Sequence, residues 1–227
     1  MTVLAAALFA AACGDEGATA VDTRPGVRFF NATMGMSGKV GFTTDGQFAG
    51  GSALALGEST QTCSRLTAGS TSFGFGAANA GGTDLSGGAL ATLGSQSVAT
   101  GGNYTVVAAG SAASPTLLLF DNTFPGTLAS NQAAVRFVNL APDPAYNYRI
   151  YQGEVGLTDA LAINPPFGSP TAFMTMTRGS TSFGVLRLPG HNIIIPASPH
   201  TLQAGTDNTL ALVETSGGLQ LINIRGC

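Results

Sequence analysis

The feature that most constrains this chain is a repeat. Val27-Arg28-Phe29-Phe30-Asn31 recurs as Val135-Arg136-Phe137-Val138-Asn139. The hexapeptide Gly69-Ser70-Thr71-Ser72-Phe73-Gly74 recurs letter for letter as Gly179-Ser180-Thr181-Ser182-Phe183-Gly184. A looser match pairs Asn103-Tyr104-Thr105-Val106 with Asp207-Asn208-Thr209-Leu210. Three matches in one order, at nearly one spacing, read as an internal duplication. Each copy, about a hundred residues long, is large enough for a modest core of its own. The small drift in spacing places insertions in loops, where they are best tolerated.

Within each copy, short runs of β-branched and aromatic residues alternate with Gly-, Ser- and Asp-rich turns, which is the pattern of strands in an all-β domain. Strands are predicted over 27–31, 39–43, 60–66, 71–75, 104–108 and 116–120. In the second copy they are predicted over 135–140, 147–152, 172–177, 182–188, 192–196, 209–213 and 219–224. Period-two alternation puts Val27 and Phe29 on one face and Arg28 on the other, and repeats with Val135, Phe137 and Arg136. With 32 Gly and 11 Pro in 227 residues, long helix interiors are disfavoured. The expected fold is all-β: two tandem antiparallel immunoglobulin-like sandwiches at 27–120 and 135–227, joined by a linker at 121–134 containing Pro125-Gly126.

Residues 2–12 are uncharged and mostly Ala, Leu and Val, and they stop at Cys13 before the polar run Gly14-Asp15-Glu16-Gly17. The stretch is too short for a membrane span, which takes about 20 apolar residues, and fits the apolar region of a secretory signal. Ala10-Ala11-Ala12-Cys13 resembles the lipobox of bacterial lipoproteins, whose Cys is acylated after cleavage. That resemblance implies a signal peptide at 1–12, lipidation of Cys13 and a lipidated tether at 13–26. Its acyl chains would contact the membrane. Gly14 after the Cys leans toward the outer membrane, with the protein facing the periplasm. Export permits a disulfide, and once Cys13 is lipidated the remaining cysteines, Cys63 and Cys227, form the one available pair. Two unpaired thiols, buried as small hydrophobes, are the alternative.

Charge narrows the function. There are 9 Lys+Arg and 12 Asp+Glu, and no basic run with which to neutralise a phosphate backbone, so nucleic-acid binding is disfavoured. His191 and His200, with Asp207 downstream, are the residues an exported hydrolase or metal-dependent enzyme would use. Their spacing puts no two ligands on one element, and a zinc site needs three or four with supporting partners. The Gly-Ser-Thr-Ser-Phe-Gly hexapeptide lacks the spacing of a nucleophile elbow, and its Phe73 and Phe183 are expected to plug the two cores. The aspartates are too scattered for a calcium loop. No catalytic residue, metal site or cofactor is expected. Tyr146, Tyr148 and Tyr151 cluster in the second copy as a candidate binding patch, with core packing as the competing reading.

Val135-Arg136-Phe137-Val138-Asn139-Leu140-Ala141-Pro142-Asp143, the Gln152-Gly153 turn, the Gly-Ser turn leading to Phe183, and the closing Gly102-Asn103-Tyr104-Thr105-Val106-Val107 run together resemble the DUF4397 domain of bacterial exported proteins. Both copies are covered. The second departs at Asn208, where Tyr is usual, and the first has Ala32-Thr33-Met34 in place of Ala-Pro-Asp. The resemblance implies a secreted or lipid-anchored β-sandwich and brings no catalytic residues. The function expected is a non-enzymatic scaffold or weak binding module of the cell envelope, with a glycan, peptide or envelope protein as partner. Self-assembly through exposed strand edges is a further alternative, because the chain has a single lysine, Lys39, and Lys commonly guards such edges.

Overall fold

The computed structural model describes residues 22–142, 147–153, 163–189 and 192–227, and every regular element within them is a strand. In chain order these are β1 (Gly26–Asn31), β2 (Val40–Thr44), β3 (Gln47–Leu54), β4 (Ser64–Arg65), β5 (Gly69–Ala77), β6 (Ala91–Val98), β7 (Asn103–Ser111) and β8 (Ser114–Asp121). They continue as β9 (Gln132–Asn139), β10 (Asn147–Gln152), β11 (Met174–Thr177), β12 (Gly179–Leu188), β13 (Asn192–Leu202), β14 (Asp207–Thr215) and β15 (Gly218–Arg225).

The first eight strands make two sheets, ordered β4-β1-β7-β8 and β3-β2-β5-β6. The remaining seven make β11-β9-β14-β15 and β10-β12-β13. Strand for strand, β11-β9-β14-β15 repeats the order of β4-β1-β7-β8. In the place of β3, the second set has an isolated bridge between Ile150 and Ile163. One feature differs from an all-antiparallel sandwich: β1 runs parallel to β7, and β9 parallel to β14. The opening strand of each sandwich pairs with one that arrives late, after a long crossover, and such a connection permits parallel pairing.

Each pair of sheets encloses a core. In the first, Val27, Phe29, Phe42, Phe73, Phe75 and Val106 interlock; in the second, Val135, Phe137, Ile150, Phe183, Leu210 and Leu212 do. Phe73 and Phe183, from the repeated hexapeptide, sit at the centres of these cores.

A third apolar cluster lies between the sandwiches. The opposite faces of the same inner strands supply it: Phe30, Val107, Ala109 and Phe120 from the first sandwich meet Val138, Leu140, Ala211, Val213 and Ile224 from the second. The inner strands β1, β7, β9 and β14 are therefore buried on both faces, and the molecule is a stack of four sheets. Buried Phe and Leu side chains contribute about 1.5–3 kcal/mol each, so this contact is a core in its own right.

Several strands depart from expectation. The predicted strand at 60–66 shrinks to the two residues of β4. Neither β3 nor β6 was expected, and β13 runs through Pro196 and Pro199 as far as Leu202. The hairpin that creates β3 turns on Asp45-Gly46, both at positive φ (49° and 79°), the conformation of the two-residue turn that matches strand twist.

The sheet edges are blunted by means other than lysine. Pro199 and Pro196 interrupt the β13 edge, Pro115 opens β8, and β11 has four residues. In β6 a register shift falls opposite Thr71–Phe73, and Gln96 Nε2 donates to the Gly94 and Ser95 carbonyl oxygens at 3.0 and 3.2 Å. Prolines and bulges of this kind obstruct pairing with another chain.

Candidate functional site

Of the residues singled out for chemistry, Cys13, Tyr146 and His191 lie outside the described residues. His200 lies against Phe183 with ring centroids 5.9 Å apart and ring planes tilted by 49°, and burial lowers its pKa. Asp207 opens β14 and faces the junction between the sandwiches, where Asn103 Nδ2 donates to its carboxylate at 3.1 Å. The two residues serve different neighbourhoods. Among the described residues no group of three or more His, Cys, Asp or Glu side chains is placed to hold a metal ion.

The two described tyrosines of the cluster, Tyr148 and Tyr151, are inside. Tyr148 joins the second core, and Tyr151 lies over Gly184, where a Cβ would collide with its ring. At 3% and 4% exposure neither presents an aromatic surface to a ligand.

The repeated Val-Arg-Phe-x-Asn motif is a structural device. Its Val and Phe enter the core. Its Asn ends the strand, with Asn31 Oδ1 accepting from Thr33 N at 2.9 Å and Asn139 Oδ1 from Ala141 N at 3.0 Å. Its Arg stands on the opposite face, in register with a Thr of the neighbouring parallel strand: Arg28 with Thr105, and Arg136 with Thr209.

Arg136 is 5% exposed. Its Nε donates to Thr209 Oγ1 at 3.0 Å, Nη1 to the Asp121 carbonyl at 2.8 Å and Nη2 to Asn122 Oδ1 at 2.5 Å. The guanidinium carbon lies 4.5 Å from the Phe173 ring centre. Burial pushes its pKa down to about 10 against the opposing pull of Asp207 and Asp121. Burial likewise raises the pKa of Asp207, more than its own backbone amide and the nearby Arg136 and Arg28 lower it.

Arg28 is less enclosed. It donates to the Thr60 carbonyl at 3.0 Å and to Cys63 Sγ at 3.6 Å. Cys63 is disulfide-bonded to Cys227, with Cα atoms 5.8 Å apart and a sequence separation of 164. The bond joins the loop before β4 to the end of β15, and so bridges the two sandwiches. Cys227 N also donates to Asn103 Oδ1 at 2.7 Å.

Two adjoining hollows of the described surface have a mainly polar lining. A cleft of about 540 Å³ opens at one end of the first sandwich, between Ser37-Gly38-Lys39 before β2 and Asn79–Thr83 after β5, with Ala53 between them. A second, of about 430 Å³, runs from Lys39 and Ala53 along Leu54, Glu58, Ser59 and Gln61. Lys39 is exposed at their junction. Asn79 is fixed by its own turn: its Oδ1 accepts from Thr83 N at 3.0 Å and its backbone carbonyl from Gly82 N at 2.9 Å. No spacing motif marks this cleft in the sequence, since its walls come from loops some forty residues apart that only the fold brings together.

The model of the family described as "Domain of unknown function (DUF4397)" matches residues 25–147, more than half of the chain. The chain belongs to the DUF4397 family. The match starts at the residue before β1 and ends on the first residue of β10, so it takes in the first sandwich, the connection and β9. Within the DUF4397 match lie both Val-Arg-Phe-x-Asn motifs, Lys39 and the Asn79–Thr83 wall. Comparison with curated proteins finds none that matches. Among solved structures, the chain is similar to the crystal structure of a "putative cell adhesion protein from Bacteroides ovatus ATCC 8483", at 6% identity and a TM-score of 0.27, over 89% of this chain and 96% of that one. A likeness at that level says nothing about what this chain binds. Among the described residues no helix is long and apolar enough to cross a membrane.

Proposed function

We propose that the protein is a non-enzymatic, lipid-anchored module of the cell envelope, tethered through Cys13 and built by duplication of one DUF4397-type sandwich. It presents a rigid double sandwich as a scaffold or binding surface. The observation that carries this reading is the Cys63–Cys227 disulfide. Structural disulfides belong to oxidising compartments outside the cytosol, which agrees with an export signal at 2–12 ending on Cys13.

The buried polar groups support the non-enzymatic part. The guanidinium of Arg136 and the side chains of Asn122 and Thr209 are spent on one another at the junction. His200 packs against an aromatic ring. Asp207 is held by Asn103. A general base needs an accessible proton to move, within about 3 Å of its own atom, and each of these groups is instead turned toward a partner within the protein.

Metabolic labelling with an alkyne fatty acid tests the anchor. The wild type is expected to be labelled and Cys13→Ser unlabelled; equal labelling of both would contradict the reading.

A further inference from the structure

We propose that the joined clefts around Lys39 bind an acidic oligosaccharide, its carboxylate on the Lys39 ammonium and its hydroxyls along the Asn79–Thr83 wall. The inference rests on the reading of the protein as a binding module and names the ligand class of that module.

Shape comes first. The two clefts share Lys39 and Ala53, so they adjoin there as one trough. Each lies within the roughly 300–1,000 Å³ typical of ligand sites. A trough of this kind suits a chain of several units.

Charge sets the anionic end. Lys39 is the single lysine of the protein, and no carboxylate of the described residues lies within ion-pair distance of it. The one acidic side chain of the trough, Glu58, stands on the wall of the narrower cleft. Its Oε2 accepts from Ala55 N at 2.8 Å, which holds it in the loop after β3. The wider cleft therefore has a cation and no anion, and a ligand carboxylate belongs there, at the Lys39 end.

The lining sets the rest. The wider cleft is walled by Ser37, Asn79 and Thr83 among Gly and Ala, with no ring and no large aliphatic side chain. An apolar peptide side chain would find little surface to bury against. Hydroxyl groups would find amide and hydroxyl partners, and Asn79 is already oriented by its bonds to Thr83 at 3.0 and 3.4 Å. Preorganised donors lose less entropy on binding.

The test is calorimetric titration of the full-length chain in detergent micelles with trigalacturonate, its methyl ester and a neutral trisaccharide at low ionic strength. Saturable binding of trigalacturonate is expected, with the ester and the neutral sugar binding about fivefold more weakly. Lys39→Ala should weaken it about fivefold, as befits an exposed ion pair. Gly81→Leu, at a position with ordinary φ whose added side chain grows into the wider cleft, should abolish it. The melting temperature of each variant reports its folding; if Gly81→Leu is unfolded, Lys39→Ala and the ester decide. No binding of trigalacturonate at millimolar concentration, equal binding of the ester, or wild-type affinity in Lys39→Ala would overturn the proposal. Binding of glycerol phosphate in preference to the sugar acid would overturn it as well. Fatty-acid labelling of Cys13 is read separately, so a failed titration with a labelled Cys13 removes the ligand and leaves the anchored module.

Discussion

Arg28 and Arg136 occupy the same place in two copies of one motif, each opposite a Thr on the neighbouring parallel strand, yet they end in different surroundings. Arg136 is closed in by Phe173, Phe120 and the Asp121-Asn122 segment, and satisfies its fork with three hydrogen bonds. Arg28 is half-buried, keeps its Nε without a partner and leans on a disulfide. The difference teaches that the junction is held by unlike fasteners that meet at Asn103, whose Oδ1 accepts from Cys227 N and from the Asn122 side chain that Arg136 binds. Where the chain passes from β8 into the second sandwich, a guanidinium binds the passing backbone. Beyond β15, the covalent bond from Cys227 to Cys63 does the fastening.

The covalent fastener should matter most. Its loop is long, and in the chain-entropy account closing it contributes about 4–5 kcal/mol. Reduction, or Cys63→Ser, is expected to lower the melting temperature by roughly 10 °C or more, at about 2–4 °C per kcal/mol for a chain of this size. An unchanged melting temperature would mean that the bond carries no load.

Arg136→Ala comes next. It leaves Asn122 and Thr209 buried without their donor and opens a void beside Phe173, for a loss of about 3 kcal/mol. Arg136→Lys should recover little, because an ammonium cannot reproduce the planar fork. Full recovery in denaturant melts would show that charge alone is at work. Arg28→Ala is expected to cost about 1 kcal/mol. If it cost as much as Arg136→Ala, the contrast between the two arginines would be gone.

The smallest effect concerns Asp207. Burial raises its carboxyl pKa, so the folded state holds the proton more firmly than the unfolded chain does. The stabilisation from this group is complete below the ordinary value of 3.8 and is lost as pH rises through the higher folded value. At pH 7 the ionised carboxylate is therefore a cost. Asp207→Asn should raise the melting temperature slightly at neutral pH, with the gain vanishing in acid. A drop at pH 7 would show that attraction to Arg136 and Arg28 outweighs desolvation.

Much of the fold was legible because its signals are local. Short alternating runs marked both sets of strands, and Phe73 and Phe183 read as core plugs from the hexapeptide. β6 was not legible: Ala-Thr-Leu-Gly-Ser-Gln-Ser-Val is small and polar, and its strand character comes from pairing with β5. β3 carried a usable signal in Asp45-Gly46, a favoured hairpin turn. The fusion of the sandwiches had one too. Val106-Val107-Ala108-Ala109, Leu117–Phe120, Leu210–Val213 and Leu221–Ile224 are nearly unbroken apolar runs, the pattern of strands buried on both faces. Taken as one-sided strands, they conceal the junction. The tyrosine cluster misleads for the opposite reason, since strand alternation divides Tyr148 and Tyr151 between two faces and both faces are covered. The Lys39 trough could not be seen, because its walls meet only once the loops before β2 and after β3 and β5 are folded together.

The account depends most on the apolar junction making one body of two sandwiches. Differential scanning calorimetry of the full-length chain in detergent, oxidised and reduced, tests it directly. One cooperative transition is predicted in both states, displaced to lower temperature on reduction, because Phe30, Val107, Val138 and Ala211 couple the sandwiches without the disulfide. Two separate transitions in the reduced protein would contradict it.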